Sequence, residues 1–124
     1  MNIVDSSGWL EYFSDGPHAT IFGEVLCDID SLIVPTISLY EVFKVVLRER
    51  GEESALQVIV VMQQGNVVDL TADNALLAAK LSLEHEIPMA DSIIYAAAKL
   101  YEATLWTQDE DFEGLTGVKF FAKK

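Results

Sequence analysis

Residues 31–51 read Ser-Leu-Ile-Val-Pro-Thr-Ile-Ser-Leu-Tyr-Glu-Val-Phe-Lys-Val-Val-Leu-Arg-Glu-Arg-Gly, and this stretch decides the fold. Leu32-Ile33-Val34-Pro35 is a short, wholly apolar run closed by proline, which suits a buried strand. From Ser38 to Arg50 the apolar residues Leu39, Val42, Phe43, Val46 and Leu47 recur every three or four positions, which predicts a helix, and Gly51 supplies its stop. A strand feeding directly into a helix is the unit from which parallel sheets are built.

The same unit recurs on either side. Upstream, Asn2-Ile3-Val4 is a strand, Trp9, Leu10 and Phe13 mark a short helix, and residues 18–30 form a second helix. Downstream come a helix over 52–64 stopped by Gly65, a strand at Val67-Val68, and helices over 72–86 and 89–102 separated by Pro88. Leu105-Trp106-Thr107 and Val118-Phe121 are the last strands, with Asp109–Phe112 a loop or a single helical turn between them. Short apolar strands joined by helices imply right-handed crossovers. The expectation is one α/β domain over 1–124, a three-layer sandwich with a short, mostly parallel central sheet flanked by helices.

Composition narrows the function. Eight Lys and Arg stand against 20 Asp and Glu, a formal net charge of −12, and 51% of residues are hydrophobic. The chain can bury a core and is no disordered acid tract. Proteins that coat nucleic-acid phosphates carry an excess of Lys and Arg, so that class is disfavoured; an enzyme gathering divalent cations with carboxylates is not. Cys27 is the single cysteine, which fits the reducing cytoplasm. No apolar run reaches the roughly 18 residues of a membrane span.

In parallel sheets, sites form beyond the carboxyl ends of the strands. Asp5 follows the first strand, and Asp109 lies two residues past Thr107. Glu41 is placed in the first turn of the helix after Pro35, and Asp91 in the first turn of the helix after Pro88. Asp111 is a fifth acid close by. An oxygen-only set, with His18 and His85 at no zinc spacing, points to Mg²⁺ or Mn²⁺. Each acid also has an ordinary reading. Asp5 and Asp91 suit helix N-termini, Asp109 suits a turn, and Glu41 suits a solvated helix face paired with Lys44.

Four segments together resemble the motifs of PIN-domain ribonucleases. They are Asn2–Ser7, the helix start Ser38-Leu39-Tyr40-Glu41-Val42, the run Met89-Ala90-Asp91-Ser92-Ile93-Ile94-Tyr95, and Leu105-Trp106-Thr107-Gln108-Asp109-Glu110-Asp111-Phe112. The small size is similar to the VapC toxins of type II toxin–antitoxin pairs. This resemblance implies a metal-dependent endoribonuclease in which Asp5, Glu41, Asp91 and Asp109 are catalytic. Asp5, Asp91 and Asp109 would hold Mg²⁺ or Mn²⁺, and Glu41 would handle a metal-bound water. Ser6, Thr107 and Asp111 would be accessory. The implied partners are RNA, a cognate antitoxin protein and a second copy in a homodimer. Lys44 and Arg48, sharing a helix face with Glu41, are candidates to guide RNA phosphates.

Two competing readings remain at this level. One is a non-catalytic binding module on the same fold with structural acids. The other is a phosphatase or phosphoacceptor domain, but Asp5 has no second Asp two residues on to serve that chemistry.

Overall fold

A computed structural model describes all residues from Met1 to Lys124. Five short strands, β1 (Asn2–Val4), β2 (Ile33–Pro35), β3 (Asn66–Val68), β4 (Thr104–Thr107) and β5 (Val118–Phe120), alternate with six helices. The helices are α1 (Ser6–Phe13), α2 (Ala19–Cys27), α3 (Thr36–Arg50), α4 (Glu52–Met62), α5 (Ala72–His85) and α6 (Met89–Leu100). Every strand pair is parallel. β1, β4 and β5 form one ladder and β2 with β3 another, and a single bridge from Asn2 to Leu32 joins them in the order β3-β2-β1-β4-β5.

The alternation of side chains along the strands divides the core into two halves. Ile3, Ile33 and Leu105 face α5 and α6, while Val4, Leu32 and Val34 face the layer of α1 to α4. This is the expected three-layer sandwich. The α6 helix buries every residue from Ser92 to Ala98, and its run Ala96-Ala97-Ala98 gives it the slim profile that burial on all sides requires.

Several boundaries differ from the sequence reading. The α3 helix begins at Thr36, because Pro35 itself occupies the N-cap with extended backbone and no loop follows the strand. Glu41 is therefore in the second turn rather than the first, and Ser38, expected at the helix start, is buried inside it. The second helix ends at Cys27, and Ile29–Ser31 close as a separate 3₁₀ turn. Gly51, at φ +89°, both ends α3 and precedes α4, a backbone state that L side chains adopt only with strain.

The start of α1 is packed closely against β1 and α2. A Cβ built on Gly8 would lie 2.4 Å from Val4 Cγ1 and 2.9 Å from the Phe22 ring. At the other end of the chain, Phe121 stacks on Trp106 with ring planes 10° apart, and a 2.8 Å hydrogen bond joins His18 Nε2 to the Ala122 carbonyl oxygen.

Gly8→Ala is expected to destabilise the protein by about 1–3 kcal/mol, the usual range for overpacking a filled core. A melting temperature unchanged from wild type would show that α1 is free to move off β1.

Candidate active site

The carboxyl edge of the sheet collects the acids. Asp5 leaves β1 and is 2% exposed. Its Oδ1 accepts hydrogen bonds from the Gly8 amide at 3.0 Å and the Ser7 hydroxyl at 2.7 Å, and its Oδ2 accepts from the Thr107 hydroxyl at 2.7 Å. Asp5 thus caps α1, as its ordinary reading held, and lies near Asp91 and Asp109 without joining the closest group of carboxylates. Thr107 also accepts from the Asp109 amide at 2.9 Å, so one hydroxyl at the end of β4 fixes two acids.

Asp91, Asp109 and Asp111 present carboxylate oxygens that all lie within 4.8 Å of one another. Asp109 caps the 3₁₀ turn Glu110–Phe112 by accepting from the Asp111 amide at 2.9 Å, and that turn swings Asp111 into the group. Asp91 lies in the first turn of α6, whose N-cap, Pro88, makes no side-chain cap bond. Glu41 stands apart from these three, across Ser6, whose hydroxyl donates to Glu41 Oε1 at 2.6 Å.

Crowding and burial disturb the titration of two acids. Burial pushes Asp5 up to about 6, opposed by its bonds from Ser7, Thr107 and Gly8 and reinforced by Asp109. Asp91 is held well above the ordinary carboxylate range by burial and by the adjoining carboxyls of Asp111, Asp109 and Asp5. No side chain of the protein neutralises the group, for the ion pairs of the chain are Arg48–Glu49 and His85–Glu84, both elsewhere. Oxygen-only donors, several carboxylates in one place and no basic partner fit a hard divalent cation.

The basic residues on α3 face outward. Lys44 Nζ lies 3.5 Å from the Tyr40 hydroxyl rather than pairing with Glu41, and Arg48 is 3.6 Å from Glu49. Ser7 is the functional neighbour that the sequence reading missed. Ser6 and Ser7 look alike in sequence, but a rotation of about 100° per helical residue sends one to Glu41 and the other to Asp5.

The PIN domain family model matches residues 3–117. The chain belongs to the PIN domain family. No curated protein matches it in sequence. Among solved structures it is similar to a toxin–antitoxin complex from Klebsiella pneumoniae, with TM-score 0.83 and 21% identity over 100% of both chains. It is also similar to VapC20 of Mycobacterium tuberculosis, described as a sarcin–ricin loop cleaving toxin (TM-score 0.76, 16% identity, covering 94% of this chain and 95% of that one). A third likeness is to VapBC2 of Rickettsia felis bound to a promoter DNA fragment (TM-score 0.75, 16% identity, 99% and 98% covered). At these identities the structures show a shared fold.

The raised acids make stability depend on pH and on cations. The native state holds the Asp5 proton more tightly than the unfolded chain does. Without divalent cation, stability is therefore expected to fall as pH rises from about 4 to about 6, by on the order of 3 kcal/mol. Asp91→Asn removes the acid whose ionisation burial and its neighbours oppose, so at pH 9, where wild type has to carry that charge, the cation-free melting temperature of the variant is expected to equal or exceed that of wild type. Mg²⁺ or Mn²⁺ should stabilise wild type, by about 2.7 kcal/mol of unfolding free energy at 100 times Kd, and leave the variant nearly unmoved. A large loss of stability in Asp91→Asn would mean that the acid is a structural helix-terminus residue.

Proposed function

We propose that this protein is a divalent-metal-dependent endoribonuclease acting as the toxin of a toxin–antitoxin pair in the cytoplasm. The observation that carries the proposal is the carboxylate group of Asp91, Asp109 and Asp111 beside the buried Asp5, with no basic side chain to balance it. Membership of the PIN family and the likeness to toxin–antitoxin structures support the same reading. No helix is long and apolar enough to cross a membrane.

Asp91, Asp109 and Asp111 would hold the cation, with Asp5 behind them. A bound Mg²⁺ or Mn²⁺ supplies acidification of water and charge relief at the phosphate. Thr107 and Ser7 keep Asp5 in one orientation, and Thr107 fixes the backbone that presents Asp109. Ser6 holds Oε1 of Glu41, leaving Oε2 to accept a proton from the attacking water. In the hydrolysis, the water oxygen bonds to phosphorus, its proton passes to Glu41, and the bond from phosphorus to the leaving oxygen breaks. Solvent protonates the leaving oxygen. Lys44 and Arg48, exposed on α3, would attract the RNA backbone.

The protein partners follow from apolar surface. A hollow between α1, α2 and α4, lined by Tyr12, Leu26, Ile29 and Val61, suits apolar anchors of a small antitoxin. Leu76 and Leu83 lie seven residues apart on α5, the latter 86% exposed, and supply an apolar stripe for a second copy in a homodimer.

Purified protein is expected to cut single-stranded RNA only with Mg²⁺ or Mn²⁺, and Asp91→Asn should abolish cutting. Glu41→Gln should lower the rate at saturating RNA by orders of magnitude with little change in affinity. Lys44→Ala should weaken affinity and reduce the salt slope by about 0.7, the value for one neutralised phosphate of a single strand, while leaving kcat nearly unchanged. Equal effects of the two changes on rate and affinity would remove Glu41 from the chemistry. RNA left intact by the metal-loaded protein would favour a binding module.

A further inference from the structure

A groove of about 330 Å³ runs between α1 and α3, and two of its lining residues adjoin the acid site: Ser7, bonded to Asp5, and Gln108, which precedes Asp109. Ser7, whose hydroxyl holds Asp5, stands at its mouth, and Leu10 and Val45 line opposite walls. Gln108, the first residue beyond β4, borders it with 6% of its surface exposed. The Gln108 amide nitrogen of the backbone donates to Ser7 Oγ at 3.2 Å, yet the side-chain Oε1 is buried without any hydrogen-bond partner. A buried acceptor left unpaired is costly, and a ligand N–H would relieve it.

The charges at the groove give a second, independent indication. Arg50 and Lys123 line it and belong to no ion pair. The two acids beside them are engaged elsewhere: Glu49 lies against Arg48, and Glu11 Oε2 accepts from the His18 amide at 2.8 Å. The His18–Ala122 bond anchors the backbone just before Lys123. Arg50 is nine residues beyond Glu41, roughly 13 Å along α3 at the helical rise per residue. The groove therefore runs from neighbours of Asp5 and Asp109 to two cations, past a buried amide oxygen without a partner.

We propose that this groove receives one nucleobase flanking the scissile phosphate of single-stranded RNA, and that Gln108 reads its edge. The proposal rests on the nuclease reading above. A glutamine amide offers an acceptor beside a donor, the pairing used to read base edges, and unstacked RNA bases present both. Leu10 and Val45 supply apolar walls for the base faces, and Arg50 and Lys123 attend the neighbouring phosphate. The same two cations disfavour an arginine-bearing arm of a protein partner.

The test uses synthetic RNA spanning a mapped cleavage site, with each position in turn made abasic, and compares wild type with Gln108→Leu. Wild type should lose about tenfold in kcat/KM when the base at one flanking position is removed. Gln108→Leu should cut the intact and abasic substrates within about twofold of each other, with a melting temperature at or above wild type because the unpaired acceptor is gone. In case that variant misfolds, Arg50→Gln with Lys123→Gln alters only the basic end. This pair should weaken RNA binding and flatten its salt dependence by about 0.7 for each phosphate no longer neutralised. Base dependence kept at every position by folded Gln108→Leu, or an unchanged salt slope in the double variant, overturns the proposal. Weakened antitoxin binding with unchanged RNA cleavage also overturns it and gives the groove to the protein partner. Wild-type protein that cuts no RNA fails the nuclease reading itself, and the base pocket falls with it.

Discussion

The carboxylate of Asp5 is buried where the central strand turns into the first helix, and three hydrogen bonds hold it there. It closes α1 through the Gly8 amide, and it ties β1 to β4 through Thr107. Gly8 can donate that bond only because it has no side chain to push the helix off Val4 and Phe22. The geometry of the site thus depends on a cap that also joins two strands. The arrangement places a charge in a poor solvent, and burial pushes Asp5 upward in titration as a result.

Around that centre, the protein accepts local instability in one region and compensates for it in another. Three further aspartates crowd the same edge with no basic residue among them. The rigid support is α6, buried along seven consecutive residues and starting two residues before Asp91. Repulsion between the acids therefore cannot relax by moving the helix, and protons or a cation relieve it where the carboxylates stay together. Such a conflict between local energy and overall fold is the mark of a site rather than of a core.

Much of this was legible in the sequence. The order of strands and helices followed from apolar periodicity, and Asp5, Asp91 and Asp109 were singled out by standing after a strand or at a helix start. Asp111 was legible only as a neighbour, because a 3₁₀ turn, rather than spacing alone, aims it at Asp91 and Asp109. The apolar spacing that begins at Leu39 puts Glu41 a turn too early, whereas Pro35, with φ fixed by its ring, starts the helix without a linker. Ser7 could not be separated from Ser6 without the rotation of the helix. The unpaired Gln108 oxygen could not be read at all, since hydrogen-bond satisfaction depends on what packs around a residue.

The pairing of β1 with β4 sets Asn2 beside Thr104, and the bond between Asp5 and Thr107 spans 102 positions of sequence. A chain emerging from the ribosome carries Asp5 together with Ser7 and Gly8, but Thr107, which holds its other oxygen, comes 102 residues later. At about 5–20 residues per second, the interval lasts several seconds. Throughout that time the N-terminal strand has no neighbour on its β4 side, and the acids of the site are distributed along an incomplete chain. Until β4 has been made, Asp5 has its cap on α1 but no tie to a second strand, so the acid edge is among the later parts of the fold that can form.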